Sequence, residues 1–227
     1  IHVVSLPIHK QATLKKLPAG EYKKTNTIVY SSRLDKEKNP FFMMKVAEAF
    51  LTNHPDYEWH VTTSGKSFRS MLPGVIDALE ALSKEQPRFK LMTGLTKEEY
   101  YTELATCKIQ FNTSLQDYVS WTVIESTAFG ADLVFPRFKS FPEFIDPSRL
   151  YKPFNIKDAL ETIEDVLESP RVHPDIVDRS DLGRQMEGYI IANDYEHELC
   201  IWHEKEYCEV LLAQEDKKMN LEKKQLA

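Results

Sequence analysis

Between residues 27 and 168, short β-rich runs alternate with stretches of helical periodicity, and this alternation constrains the fold more than any other feature. TIVYSS (27–32), EWHVTT (58–63), RFKLMT (88–93), KIQFNT (108–113), DLVFP (132–136) and LYKP (150–153) read as strands. Asn39 is a fair N-cap, Pro40 suits the first helical position, and Phe42, Val46, Ala49 and Phe50 recur on one face after them. Ser67–Lys84 carries Leu72, Val75, Ile76, Leu79 and Leu82 at helical spacing. Thr96 with Glu99 three residues later is a capping box opening a helix through Ala105. Ser120–Phe129 and Lys157–Glu168 complete the helices. Strands joined through helices cannot be hairpins. The expected fold is therefore α/β: a Rossmann-like parallel sheet of about six strands with helices on both faces.

Around this domain, placed at residues 26–170, the composition shifts. Residues 1–25 read as a linker, or the end of a preceding domain. Residues 171–214 read as a helical extension, with one long helix at Asn193–Gln214, and 215–227 as a charged tail. The chain starts at Ile1 rather than Met, so a fragment of a longer polypeptide is expected.

Several function classes drop out. None of the seven glycines forms G-x-G-x-x-G or a P-loop. A net charge of −6 weighs against bulk nucleic-acid binding, though not against a local basic cleft. No apolar run approaches the ~20 residues of a membrane span. Cys107, Cys200 and Cys208 form no C-x-x-C, which points to a reducing, cytoplasmic setting and no structural metal. HELCIWH (197–203) fails as a zinc motif because its histidines lie six apart, not three or four.

In an open parallel sheet, ligands bind at the carboxyl ends of the strands. The segments that follow the strands carry Arg33 and Lys38, then Ser64-Gly65-Lys66, then Gly94-Leu95-Thr96, then Asp117. Two cations five apart can clamp a diphosphate, and helix N-termini on that rim add backbone N–H donors. Asp117 and Glu125 stand in a D-x7-E arrangement across a loop and the helix after it. Taken alone that spacing is weak: among 35 acidic residues in 227, roughly five such pairs arise by chance. By residue type, Arg33 and Lys38 also suit solvated loop positions, Asp117 or Ser120 an N-cap, and Glu125 a helix surface. Trp121 suits packing better than ligand contact.

The ordered set S-R-L-D-K-E-K-N (32–39), T-S-G (63–65), T-G-L-T-K-E-E-Y (93–100) and S-L-Q-D-Y-V-S-W-T-V-I-E-S-T-A-F-G-A-D-L-V (114–134) resembles the C-terminal, donor-binding domain of GT-B glycosyltransferases of the retaining family-4 type. The resemblance covers about residues 27–168. It implies a nucleotide-diphosphate sugar as donor, UDP- or GDP-linked, transferred with retention and without metal or cofactor. It implies that Arg33 and Lys38 hold the donor diphosphate and offset leaving-group charge, making them catalytic together with Asp117. Asp117 would meet the sugar hydroxyls and Glu125 the ribose. Ser120, Trp121 and Thr122 would present backbone N–H groups to phosphate, Gly65 stands in the A-G-x-G stretch, and Leu95 lies in the loop passing the base. Two departures matter: Asp replaces the usual Glu at 117, and Y-V-S (118–120) stands where the family has G-F-G, whose glycines allow close backbone approach.

An acceptor domain of the same polypeptide is expected upstream, the acceptor itself is not named by the residues, and this half alone is expected to bind donor but turn over poorly. The competing readings are a non-catalytic nucleotide-binding or scaffolding module of the same fold and a GT-B sugar-nucleotide epimerase. The R-L-x-x-x-K motif and the D-x7-E spacing disfavour the epimerase.

Overall fold

The computed structural model of the chain describes residues 13–17, 20–116, 120–173 and 176–178. Residues Gln11–Ile176 form one compact unit. Its strands are β1 (Thr27–Tyr30), β2 (Glu58–Thr62), β3 (Phe89–Met92), β4 (Ile109–Phe111), β5 (Asp132–Pro136) and β6 (Leu150–Tyr151). Its helices are α1 (Pro40–Asn53), α2 (Val75–Glu85), α3 (Lys97–Thr106), α4 (Trp121–Ala128), α5 (Phe141–Phe144) and α6 (Ile156–Glu168). The strands form one sheet in the order β3-β2-β1-β4-β5-β6, and all five pairings are parallel. The expected parallel α/β architecture is what the chain adopts.

The two faces follow from strand alternation. Ile28 and Tyr30 point into a layer built with Trp59, Val61, Phe111 and Val134 under α1, α2 and α6. Val29 points the other way, into Tyr101, Leu104 and Phe129 of the α3–α4 side, and Leu133 and Phe135 turn to that face too, beside Val123 and Phe141. Burying apolar side chains on both faces is what makes β1 and β5 read as near-continuous hydrophobic runs.

Several helix ends behave as their residues dictate. The capping box is fully formed: Thr96 Oγ1 accepts the Glu99 N–H, and Glu99 accepts the Thr96 N–H in return. Asn39 does precede α1, but not through its side chain. It sits at φ 49°, ψ 53°, a left-handed conformation Asn tolerates, and makes no side-chain cap. The helix expected from Ser67 begins only at Val75. Pro73 and Gly74, the latter at φ +75°, turn the chain immediately before it, and residues 67–74 form a loop. The short α5 and the 3-10 turns Lys36–Lys38 and Pro147–Arg149 were not expected from periodicity, being too short to show any. Residues 21–25 have no regular secondary structure and pass the end of α3, where Lys24 Nζ donates to the Cys107 carbonyl at 2.8 Å and the Thr25 N–H to the Thr106 carbonyl at 2.8 Å. Burial pushes the Cys107 thiol up to about 12, so it packs as a small apolar group. The expected long helix at 193–214 lies outside the described residues.

Two polar clusters are buried within this unit. At the amino edge, Asp132 accepts Arg149 Nε at 3.2 Å, Arg149 Nη2 at 3.0 Å and the Arg171 N–H at 2.7 Å, with His173 Nε2 at 2.8 Å. Burial would raise its pKa, but these donors hold the carboxyl below the usual carboxylate range. The cluster ties the segment after α6 to the start of β5. Removing one partner strands a buried guanidinium, so Asp132→Ala should lose about 3–5 kcal/mol in chemical denaturation. A loss under ~1 kcal/mol would mean that water already compensates the cluster.

The second cluster is His60, mid-strand in β2, with Glu103 Oε2 2.8 Å from Nδ1 and Glu58 Oε2 3.0 Å from Nε2. Burial would lower the imidazole pKa, yet the two carboxylates outweigh it and raise it. The native state therefore holds the proton more tightly than the unfolded chain. That stabilisation is complete below the ordinary value of ~6.5 and is lost as pH rises through the folded value. The stability gap between the parent and His60→Gln should accordingly be wide at about pH 5.5 and narrow on the alkaline side. A gap that widens with pH would contradict the pairing.

Candidate functional site

The strand order reverses direction at β1, between β2 and β4, which is the switch point where a crevice opens at the carboxyl edge. The loops following β1 and β4 are joined there. The Lys38 carbonyl accepts the hydroxyls of Tyr30, at 3.1 Å, and of Thr113, and Lys38 Nζ donates to Ser114 Oγ at 3.0 Å. The Leu115 N–H donates to the Glu37 carbonyl at 2.7 Å. Lys38 is thereby buried, 8% exposed. Arg33 is its opposite: its side chain is 69% exposed, and its guanidinium is shared between Asp35 at 2.6 Å and Glu37 at 2.7 Å. The two cations predicted as a clamp lie on one rim, one interior and one in solvent.

A cleft of about 490 Å³ opens beside them. Arg33 stands on the β1 side, Thr63 and Ser64 follow β2, Leu95 and Lys97 follow β3, and Thr122 and Glu125 come from α4. Four of the predicted residues, Arg33, Leu95, Thr122 and Glu125, therefore line one space. Gly65 lines the adjoining cavity. Its carbonyl accepts the Gly94 N–H at 2.7 Å, and the Leu95 N–H reaches the Thr63 carbonyl at 3.2 Å, so the loops after β2 and β3 are stitched together. A Cβ at Gly65 would come within 3.1 Å of the Ser67 carbonyl, a tight approach.

Ser120 caps α4 without a side-chain hydrogen bond, and Trp121, the first helical residue, is 52% exposed. The first-turn N–H groups of such a helix have no intrahelical acceptor and carry partial positive charge. Thr122 Oγ1 is 3.4 Å from the Ser31 carbonyl, which sets the start of α4 against the end of β1. Asp117, predicted to meet the sugar, lies outside the described residues.

Glu125 is one turn further in, its side chain 16% exposed. Lys97 Nζ donates to its Oε1 at 2.9 Å and the Tyr101 hydroxyl to the same oxygen at 3.0 Å. Burial would lower the Lys97 ammonium pKa, but Glu125 more than offsets that and raises it. Burial and the Glu125 charge hold the Tyr100 and Tyr101 phenols above their ordinary range, so both remain hydrogen-bond donors at any physiological pH. Lys97 also lies over both rings, 5.3 and 5.2 Å from their centroids. Lys97, Tyr100 and Tyr101 escaped the sequence reading. Their signal was spacing: positions i, i+3 and i+4 share a helix face.

No protein-family model matches the chain, and no curated protein matches it by sequence. Solved structures do match in fold. Trehalose-6-phosphate synthase OtsA is 12% identical with a TM-score of 0.64, covering 82% of this chain and 49% of its own. S. aureus TarM, in a complex with UDP, fondaparinux and alpha-GlcNAc-glycerol, is 16% identical with a TM-score of 0.55, covering 80% and 35%. Sucrose-phosphate synthase from Thermosynechococcus elongatus is 17% identical with a TM-score of 0.55, covering 80% and 45%. The fold is GT-B glycosyltransferase-like. The chain spans about a third to a half of the length of these GT-B proteins. Among the described residues, no helix is long and apolar enough to cross a membrane.

The Glu125 cluster can be tested apart from any ligand. Tyr101→Phe removes one donor to the mostly buried Glu125 carboxylate, which Lys97 and Tyr100 also approach, and should cost about 0.5–1.5 kcal/mol by chemical denaturation. An unchanged midpoint would mean that Lys97 and Tyr100 satisfy Glu125 without the Tyr101 hydroxyl.

Proposed function

We propose that this chain is the donor-binding half of a nucleotide-sugar-dependent glycosyltransferase acting with retention. The observation that carries the reading is the convergence, in one cleft at the switch point, of a mostly buried carboxylate, a helix N-terminus and a cationic loop. A nucleoside diphosphate needs those three elements: an acceptor for ribose hydroxyls, donors for phosphate oxygens, and positive charge to balance the anion.

On this reading the residues divide the work of holding the donor. Glu125 binds the ribose, held in orientation by Lys97 and Tyr101. The first turn of α4, at Ser120, Trp121 and Thr122, donates backbone N–H groups to the diphosphate. Arg33 and Lys38 stabilise the charge that grows on the diphosphate as the bond to the sugar breaks, so charge neutralisation falls to side chains rather than to a metal. To meet the ligand Arg33 exchanges Asp35 and Glu37 for phosphate, an inexpensive exchange because all three groups are in reach of solvent. Asp117 contacts the sugar hydroxyls. The acceptor is held mainly by a further domain of the same polypeptide.

Paired titration of UDP or GDP and the matching nucleotide sugar separates these roles. Glu125→Ala should weaken both ligands by about ten- to a hundredfold, while Asp117→Ala should spare the free nucleotide and penalise only the sugar-bearing one. No nucleotide binding by the parent would favour the scaffolding reading. Identical patterns from the two variants would overturn the D-x7-E assignment.

A further inference from the structure

Glu125 has fewer open positions than a ribose has hydroxyls. A carboxylate offers about four lone-pair sites to hydrogen-bond donors. Oε1 of Glu125 already accepts Lys97 Nζ at 2.9 Å and the Tyr101 hydroxyl at 3.0 Å. The Tyr100 hydroxyl, which also bonds Ser31, donates to the same carboxylate. Three of the sites are therefore taken, which leaves about one. The adjacent 2′ and 3′ hydroxyls of a ribose carry two protons, so Glu125 can take one of them and not both.

Lys97 is the neighbour with donors to offer. An ammonium carries three N–H donors, and Glu125 holds one of them. The Lys97 side chain is 67% exposed and lines the same cleft as Glu125, so its other donors face the space a ligand would enter. It is also held in place. It stands over the rings of Tyr100 and Tyr101, in the first turn of a helix whose start is fixed by the Thr96–Glu99 capping box. Two other hydroxyls in the cleft lining are engaged elsewhere: Thr96 donates to Glu99 at 2.8 Å, and Thr122 is turned to the Ser31 carbonyl. Lys97 and Glu125 thus present a donor and an acceptor side by side. That pairing suits a vicinal diol, because one hydroxyl gives its proton to the carboxylate while the oxygen of the other takes an N–H from the ammonium.

We propose that Lys97 is a second ribose ligand: Glu125 accepts one hydroxyl of the nucleotide's 2′,3′-diol, Lys97 Nζ donates to the oxygen of the other, and the cleft thereby selects ribonucleotides over both deoxy forms. The inference rests on the donor-binding reading, in which Glu125 meets the ribose. It gives Lys97 a direct contact in addition to its hold on the carboxylate. The two roles differ in what a missing hydroxyl costs. A residue that only orients Glu125 changes the response to both hydroxyls together, whereas a ligand of one hydroxyl changes the response to that one alone.

The test is calorimetric titration of the full chain with UDP, 2′-deoxy-UDP and 3′-deoxy-UDP, and with the matching guanosine set, on the parent, Lys97→Met and Lys97→Arg. In the parent each deoxy analogue should bind at least ~tenfold more weakly than the ribonucleotide. Lys97→Met, at an exposed position, should bind the ribonucleotide about tenfold more weakly and lose one of the two penalties. The analogue lacking the hydroxyl that Lys97 meets then binds as well as the ribonucleotide, while the other penalty stays. Lys97→Arg keeps N–H donors at this position and should keep both penalties. Survival of both penalties in Lys97→Met overturns the proposal. Loss of both also overturns it, because Lys97 would then act only by orienting Glu125. A parent that binds nucleotide but is penalised by one missing hydroxyl or by neither overturns the proposal and spares the donor reading. A parent that binds no nucleotide overturns the donor reading and this inference together.

Discussion

Lys38 is where the two halves of the sheet are fastened. Its carbonyl takes hydroxyls from Tyr30 on β1 and Thr113 after β4, and its ammonium donates to Ser114. Parallel connectivity sends every strand-to-helix loop to the same edge, but it does not hold those loops in register with one another. The Lys38 contacts do that, because they bridge positions 75 and 76 residues apart. The Asn112 amide reaches Ser32 at 3.3 Å, and the Tyr151 hydroxyl reaches the Asn112 carbonyl at 2.7 Å, extending the bracing to β6. With this floor fixed, the start of α4 is set against Ser31, and the depth of the cleft beside Glu125 is set in turn. Positions that a ligand would use are thus determined by buried contacts no ligand needs to touch.

What could be read in advance was whatever is encoded locally. The strands that bury both faces stand out as apolar runs, and β5 at 132–136 has the same bounds in sequence and structure. The capping box at Thr96 is a contact over three residues and was equally visible. The start of α2 was misread because the apolar spacing of Leu72 continues the helical pattern backwards through Pro73 and Gly74, where backbone geometry and not periodicity decides. Contacts over long sequence distances left no trace. Asp132, Arg149 and His173 are separated by 17 and 41 residues, and Lys97 and Tyr101 meet Glu125 across 28 and 24. Arg33 and Lys38 were found as a pair, yet the burial that divides them depends on Ser114 and on the Tyr30–Lys38–Thr113 contact, which only the fold assembles.

The distribution of charge decides what an acidic chain of net −6 can hold. At the amino edge, Arg149 is consumed inside the protein by Asp132 and the Ser169 carbonyl and is 2% exposed, so it contributes stability and nothing to recognition. At the carboxyl edge the cations are graded. Lys38 is enclosed, Lys97 is bound to Glu125, Arg33 is held by two acids that solvent reaches, and Arg69 has no acidic partner among the described residues. Buried pairs resist exchange because separating them leaves a desolvated charge, whereas exposed pairs exchange at little cost. On the donor-binding reading, the diphosphate reaches Arg33 by displacing Asp35 and Glu37, and Lys38 only from within. Long-range attraction is weak at this net charge, so capture depends on short-range donors that are already in place. On the donor-binding reading that is why the bracing at Lys38 matters: without it the same cations would be ordinary surface charges.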